Sequence, residues 1–401
     1  MPIAWNAFTP GNALFGGAVI GLASAPAQRV VRVGAGYTGL EVAEGLLARG
    51  LDVTVIERLD ASMGAVLNPD MAAPVAYAMR AAGIDLRLCT AVTRFAVVSG
   101  RVTAVETAAG AVAAALVVIR LSVCANADLA RAAGIGVGQA GGIIVDDHRC
   151  TGASHVWAAG DCVESRHRIT GRAIVVALGT LANKQGRVAS TNIADGDASS
   201  GGVLGTAIAR FRSVEIGRTG LTEREATAAG FDAIGVTTDA PSRAPYFPGA
   251  HMMRIKILVE RRTGRLLGAQ IVGGEGVGKR IDVLATALWN DMTVMDVGGM
   301  DPCTRHRSRR SGPRCCWLPE SCIEDLTQRC RGNSRARRHD PHGPKSGSRV
   351  RPLRMSRPLS GWAESDGRPQ TMSTSVRHSW YGVTVTGHCV MAVVGQLRIE
   401  P

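Results

Sequence analysis

Aromatic residues are scarce, only 4% of 401 positions, so a packed interior here has to be built from aliphatic side chains. None of the ten cysteines forms a CxxC pair, and no Cys/His set has the regular spacing of a zinc site. That pattern excludes a zinc ribbon and fits a reduced, cytoplasmic setting. No Lys or Arg occurs before Arg29. The apolar segment Ala13–Ala27 therefore lacks the positive flank of a secretory signal, although Ala23-Ser24-Ala25 imitates a cleavage site. The same segment is too short and too rich in glycine to span a bilayer. No internal repeat is present.

Basic charge is plentiful but uneven. Residues 301–401 hold 17 Arg and 1 Lys against 8 acids, so they carry +10 of the formal net charge of +13. The first 300 residues form a near-neutral body of the kind expected for an enzyme. The run Arg305–Arg310 could be a patch for nucleic acid, but no interleaved aromatic and no groove-reading element accompanies it. Nucleic acid is accordingly not the expected partner.

The most specific stretch is Gly34-Ala35-Gly36-Tyr37-Thr38-Gly39. A strand precedes it (Arg29-Val30-Val31-Arg32-Val33), a helix follows (Leu40 to Leu47), and a second strand, Leu51 to Ile56, ends on Glu57. This is the βαβ setting a dinucleotide-binding turn requires. Gly34 permits the tight turn, Gly36 lets the backbone approach a pyrophosphate, and Gly39 lets helix and strand pack closely. The free N–H groups at the helix start meet the phosphate charge. Glu57, 23 residues after Gly34, suits a ribose 2′-hydroxyl and repels a 2′-phosphate, which favours NADH over NADPH. Arg58 beside it blurs that preference. Arg32, in the middle of a strand expected to be buried on both faces, is an unfavourable choice there.

The pattern continues as α/β. A helix is expected over Met71–Ala82, short strands over Ile84–Leu88, Phe95–Val98 and Val102–Glu106, and a buried parallel strand over Leu116–Ile119. Gly141–Asp146 begins a new turn and strand, leading to a strand ending at Val156–Cys162 and a helix over Leu178–Ile193. After the linker Asp195–Gly202 the style changes to α+β. Expected there are a strand at Ser213–Arg218, a helix at Thr222–Ala229 capped by Thr222 and Glu225, a strand at Ile234–Thr238, and a hairpin joining Arg254–Val259 to Leu266–Val272 through Thr263-Gly264. A helix follows at Val277–Trp289.

Six ordered motifs carry a resemblance: Val33 to Glu41, Ala159-Gly160-Asp161-Cys162, Ala182 to Arg187, Arg218 to Thr222, Tyr246 to Ala250, and Lys279 to Leu284. Together they resemble the pyridine nucleotide-disulfide oxidoreductases, in the branch of coenzyme A-disulfide reductases, NADH oxidases and NADH peroxidases. The resemblance implies a Rossmann-type NAD(P)-binding domain at 29–122 and the C-terminal part of an FAD-binding domain at 123–198. A small α+β dimerisation domain at 199–302 would follow, with a non-family segment at 1–28 and a basic tail of low order at 303–401.

It further implies a homodimer that uses FAD and NAD(P)H, with a disulfide, peroxide or oxygen as acceptor. Tyr37 would gate access of the nicotinamide to the flavin, and Glu41 would lie near the nicotinamide face. Asp161, after Gly160, would hydrogen-bond the ribityl chain, and the helix start at Leu181-Ala182 would face the flavin pyrimidine. Simpler readings stand beside these: Tyr37 as packing, Glu41 as an exposed helix acid, Asp161 as a turn residue. Cys162 reads best as a small buried hydrophobe.

Three departures bear on activity. The 28 residues before the nucleotide strand hold neither a further GxGxxG turn nor a redox cysteine. The expectation is therefore no catalytic cysteine, weak FAD retention and impaired turnover, with a non-catalytic nucleotide-binding and dimerising chain as the alternative. The family has a turn of the form G-x-G-x-R-P-N after the last strand of the nucleotide domain. Here Arg120 to Asn126 reads RLSVCAN, which puts side chains where glycines would allow close approach. Finally, GC-rich codons assigned to Cys303–Trp317 and read one frame over yield nearly the family's C-terminal segment, so a shifted reading frame close to Pro302 is expected.

Overall fold

The computed structural model describes residues 28–121, 123–243, 245–300, 320–332 and 389–393. The first unit runs β1 (Arg29–Val33), α1 (Tyr37–Leu47), β2 (Asp52–Ile56), α2 (Pro69–Ala81) and β3 (Asp85–Arg87). A three-stranded antiparallel meander follows, β4 (Val92–Val98), β5 (Arg101–Thr107) and β6 (Gly110–Ala113), before the chain returns as β7 (Leu116–Ile119). The parallel sheet has the order β3-β2-β1-β7, with Val33 paired to Ile56 on one side and Ile119 on the other. This is the mononucleotide half of a doubly wound fold, and its order reverses between β1 and β7.

Side-chain spacing explains these elements. In α1, Leu40, Ala43 and Leu46 recur every three residues and are buried with Val30, Val53 and Val55 on one face of the sheet. Val31 and Val33 point the other way and pack with Val105 and Val112 of the meander. β7 is an edge strand, and all four of its residues are half-buried rather than fully buried. An edge strand loses one covering neighbour, which the apolar run Leu116–Ile119 does not reveal.

The second stretch is sparse in regular structure: α3 (Asp128–Ala132), β8 (Val156–Gly160), β9 (Ser165–Arg166), β10 (Ala173–Ile174) and α4 (Gly179–Ile193). The strand expected at Gly141–Asp146 is reduced to isolated bridges from Ile143 to Val137 and Val163. Glycines at 141 and 142 leave too little side chain to pack a full ladder.

The last domain comprises β11 (Ala207–Phe211), β12 (Val214–Gly220), α5 (Glu223–Ala228), β13 (Ala233–Pro241), β14 (Met252–Glu260), β15 (Leu266–Gly273), α6 (Val277–Trp289) and α7 (Val294–Gly298). Its antiparallel sheet has the order β11-β12-β15-β14-β13. The expected capping box is formed: Thr222 Oγ1 accepts from the Glu225 N–H, and Glu225 accepts from the Thr222 N–H at 2.8 Å. Val277, Ile281, Leu284 and Leu288 turn one face of α6 onto this sheet.

Within 303–401, two elements belong to the described residues. Helix α8 (Glu320–Gly332) buries Cys322 and Leu326 in the core of the antiparallel domain, and β16 (Cys389–Val393) pairs antiparallel with β8. The remainder of the expected low-order tail, including Arg305–Arg310, lies outside the described residues, as does the apolar segment at 13–27.

The nucleotide domain and the antiparallel domain share one interior. Phe211, Ile216 and Val272 pack in the same cluster as Leu40, Met71 and Met79. Polar contacts reinforce this. The Asn68 N–H donates to Gln270 Oε1 at 2.9 Å, and Lys256 Nζ bridges Asp70 at 3.0 Å and Glu223 at 2.9 Å. Among the described residues no helix is long and apolar enough to cross a membrane.

Candidate functional site

The turn between β1 and α1 has the geometry its glycines predict. Gly34 adopts φ +97°, and a methyl there would lie 2.6 Å from the Arg120 carbonyl oxygen. At Gly39 a methyl would lie 2.5 Å from the Gly34 oxygen, so helix and turn meet at contact distance. Gly36 is exposed, and a methyl there would touch nothing within 4 Å. Open space above Gly36 is what a bound phosphate group needs. Gly36 is also the N-cap of α1 and supplies no side-chain cap, so the first helical N–H groups remain available to an anion.

Glu57 sits at the end of β2, and its carboxylate accepts from the Ala35 N–H at 2.7 Å and the Leu59 N–H at 2.9 Å. Each oxygen keeps lone pairs for a further donor. Arg58 beside it is exposed. Gly34, Gly36, Gly39 and Glu57 are thus gathered at one end of the sheet, around the strand-order reversal.

Tyr37 is half-buried, and its hydroxyl has no hydrogen-bond partner. Burial pushes the phenol up to about 12, with Arg218 acting against that shift and Glu225 adding to it. The ring packs against the apolar cluster to which the antiparallel domain contributes. Arg218 there donates to Glu225 Oε2 at 3.0 Å, to the Gly220 oxygen at 2.6 Å and to the Val66 oxygen at 3.3 Å. Burial raises the Glu225 carboxyl, but Arg218 and the Thr222 donors outweigh it and hold the group below its usual range. His167, also buried, is driven below the ordinary imidazole value by desolvation. Glu41 is exposed on α1.

The second group of expected site residues gathers at the end of β8. Gly160 adopts φ +92°, and its N–H donates to Gln185 Oε1 at 2.8 Å. Gln185 is itself anchored by donating to Ser165 Oγ at 2.8 Å. Asp161 follows, half-buried, and Leu181 and Ala182 occupy the first turn of α4, half-buried, behind an N-cap (Leu178) with no side-chain cap. A half-buried carboxylate and an open helix N-terminus fit a ligand carrying hydroxyls and an electron-rich ring. Cys162 is buried, its Sγ 3.5 Å from the Ala159 oxygen, which agrees with its reading as a small hydrophobe.

Arg32 and Arg120 are the unusual members. Arg32 is 1% exposed, yet its guanidinium donates to the Val33 oxygen, to Val118 at 3.3 Å and to Arg120 at 3.4 Å, with Nε left unpartnered. Burial, helped by the Arg120 charge and opposed by Glu57, lowers it to about 10. Arg120 is half-buried at the end of β7; burial lowers its pKa, while Asp161 and Glu41 act to raise it. Arg120 stands out in sequence only because the family resemblance implies a glycine at this turn. Arg218 and Gln185 lie within two of the resemblance motifs without an assigned role, and His167 carried no signal at all. Among the described residues no cluster of His, Cys, Asp and Glu has metal-binding geometry.

A glycine-turn mononucleotide fold with an acid at the β2 end, fused to an antiparallel domain across a shared core, defines a two-domain architecture of the dinucleotide-binding type. Comparison with known proteins agrees. The family profile of the pyridine nucleotide-disulphide oxidoreductases matches residues 16–194, and that of their dimerisation domain matches residues 206–301. The NAD(P)H sulfur oxidoreductase (CoA-dependent) of Pyrococcus abyssi is 39% identical over 271 residues, 67% of this chain and 60% of the relative. A coenzyme A disulfide reductase of Staphylococcus aureus is 28% identical over 273 residues, again 60% of that protein. The solved NAD-dependent persulfide reductase of A. fulgidus superposes with a TM-score of 0.74 at 34% identity, covering 78% of this chain and 57% of that one. The chain belongs to the pyridine nucleotide-disulphide oxidoreductase family, whose members use FAD and NAD(P)H. It spans about 60% of the length of the curated relatives it matches.

Proposed function

We propose that the chain binds NADH at the Gly34–Gly39 turn and serves an NAD(P)H-dependent flavin oxidoreductase that delivers electrons to a sulfur acceptor, a disulfide, peroxide or oxygen. The observation that carries the nucleotide reading is Glu57: its carboxylate is held by the Ala35 N–H at 2.7 Å beside the open Gly36. Held there, the acid accepts from ribose hydroxyls and repels a 2′-phosphate. Gly36 and the uncapped start of α1 receive the pyrophosphate. Flavin, when bound, supplies the two-electron chemistry. Asp161 would accept hydrogen bonds from its ribityl hydroxyls, and the α4 start at Leu181-Ala182 would face its pyrimidine edge. The family match at 206–301 supports assembly as a homodimer through the antiparallel domain.

A second reading, a non-catalytic nucleotide-binding and dimerising chain that retains FAD weakly, is favoured by two observations. Arg120 stands where a glycine would permit close approach, and Cys162 next to Asp161 is buried. The two readings separate by colour. Purified protein that is yellow and bleaches with NADH excludes the second. Colourless protein that still binds NADH excludes the first. The NADH preference itself is tested by titration: NADH is expected to bind at least about tenfold more tightly than NADPH, and Glu57→Ser is expected to erase the difference. Equal affinities in the unaltered protein would refute this role of Glu57. Salt-sensitive DNA binding lost on removing 303–401 would instead point to nucleic acid.

A further inference from the structure

We propose that Arg120 determines how much of a dinucleotide the crevice admits, obstructing the half over β7 so that the adenosine-pyrophosphate end binds freely and the nicotinamide end does not. This rests on the nucleotide-site reading above. A ligand of an open parallel sheet lies outside the carboxyl ends of the strands where their order reverses, here between β1 and β7. Glu57 stands on the β2 side of that point. A dinucleotide whose adenosine ribose meets Glu57 therefore has its pyrophosphate over Gly36 and its other half over the end of β7. That end is Arg120-Leu121.

The Arg120 backbone is fixed from three directions. Its N–H donates to the Val33 oxygen at 3.3 Å, its oxygen accepts from Arg32 Nη2 at 3.4 Å, and the same oxygen lies 2.6 Å from where a Gly34 methyl would be. The side chain consequently starts at the rim of the crevice. There it is half-buried, with the charges of Asp161 (end of β8) and Glu41 (second turn of α1) both acting on it. Leu121, 71% exposed, adds an apolar group whose Cδ2 would lie 3.7 Å from that Gly34 methyl. Burial outweighs those attractions, and it is the fixed backbone that keeps this long side chain at the rim. A nicotinamide ring entering over β7 must displace it, whereas an ADP-ribose moiety reaching from β2 over Gly36 need not.

The test compares NADH with ADP-ribose, which lacks the nicotinamide ring, by calorimetric titration of the full chain and of its Arg120→Gly and Arg120→Ala variants. The unaltered protein is expected to bind ADP-ribose at least as tightly as NADH. In both variants NADH is expected to tighten by about tenfold, with ADP-ribose changing by less than about twofold. Markedly tighter binding of NADH than of ADP-ribose by the unaltered protein overturns the proposal without any variant. An unchanged NADH to ADP-ribose ratio in the variants also overturns it. So does a parallel weakening of both ligands, which would make Arg120 a pyrophosphate ligand instead. Failure of ADP-ribose to bind the unaltered chain removes the nucleotide-site reading itself, and this inference with it.

Discussion

At the scale of single residues, the glycines of the turn fall into two physical kinds. Gly34 is needed by the fold: its φ is +97°, and a methyl there would lie 2.6 Å from the Arg120 carbonyl oxygen. Gly34→Ala is expected to cost about 2 kcal/mol or more of stability, measured by urea denaturation. Gly36 is not needed by the fold, since a methyl there would touch nothing within 4 Å, and its proposed role is toward the ligand alone. Gly36→Ala is expected to leave stability within about 0.5 kcal/mol while weakening NADH binding, and a large loss of stability would refute the distinction. His167 offers a pH test. Its folded pKa is lowered from 6.5 because burial disfavours the charged ring, so below that value the unfolded chain binds the proton that the native chain refuses. Its contribution to stability is present above pH 6.5 and is lost as pH falls below it. Denaturation midpoints should decline between pH 7 and 5 (about the imidazole range), and His167→Gln should flatten that decline. An identical slope in the variant would count against the assignment. Of these features, the glycine roles were legible in the spacing of Gly34, Gly36, Gly39 and Glu57. His167 was not, because nothing local distinguishes a buried histidine from an exposed one.

At the scale of elements, local periodicity located most helices and strands, and the exceptions share a cause. Val277–Trp289 matched to the residue because a three-to-four apolar repeat between a glycine and a polar stop is a self-contained signal. Gly110–Ala113 and Ala207–Phe211 were missed as strands, since small or mixed residues become β only by pairing with β5 and β12. Helix α8 was missed for a related reason: its composition is polar, with few apolar positions. Yet Leu326 and Cys322 are 0% and 1% exposed, and burial pushes the Cys322 thiol up to about 12. If the helix covers the antiparallel domain as packed, Leu326→Ala should cost about 2–4 kcal/mol in thermal or urea unfolding. A neutral result would mean that α8 is not part of the cooperative core.

At the scale of the whole molecule, the nucleotide domain and the antiparallel domain share one core, to which Phe211, Ile216 and Val272 contribute alongside residues of α1 and α2. Lys256 adds the polar clasp, bridging Asp70 and Glu223. Burial raises the Asp70 carboxyl, but its bonds to Thr237 and Lys256 outweigh this and keep it below the usual range. Lys256→Met would leave two half-exposed carboxylates facing each other. A loss of about 1–2 kcal/mol is expected, with a single unfolding transition becoming broader or splitting in calorimetry; unchanged cooperativity would show the shared apolar core to be sufficient alone. By itself, the sequence determined the glycine turn, its acid, the order of the α/β and α+β parts, and the family, because each depends on spacing within a short stretch of chain. Only the tertiary structure decided that the Tyr37 phenol is buried where Arg218 and Glu225 act on it, and that Arg120 is half-buried where Asp161 and Glu41 act on it. It also seated Arg32 beneath Gly39. Those arrangements join residues far apart in the chain, and close packing and charge, rather than local pattern, bring them together.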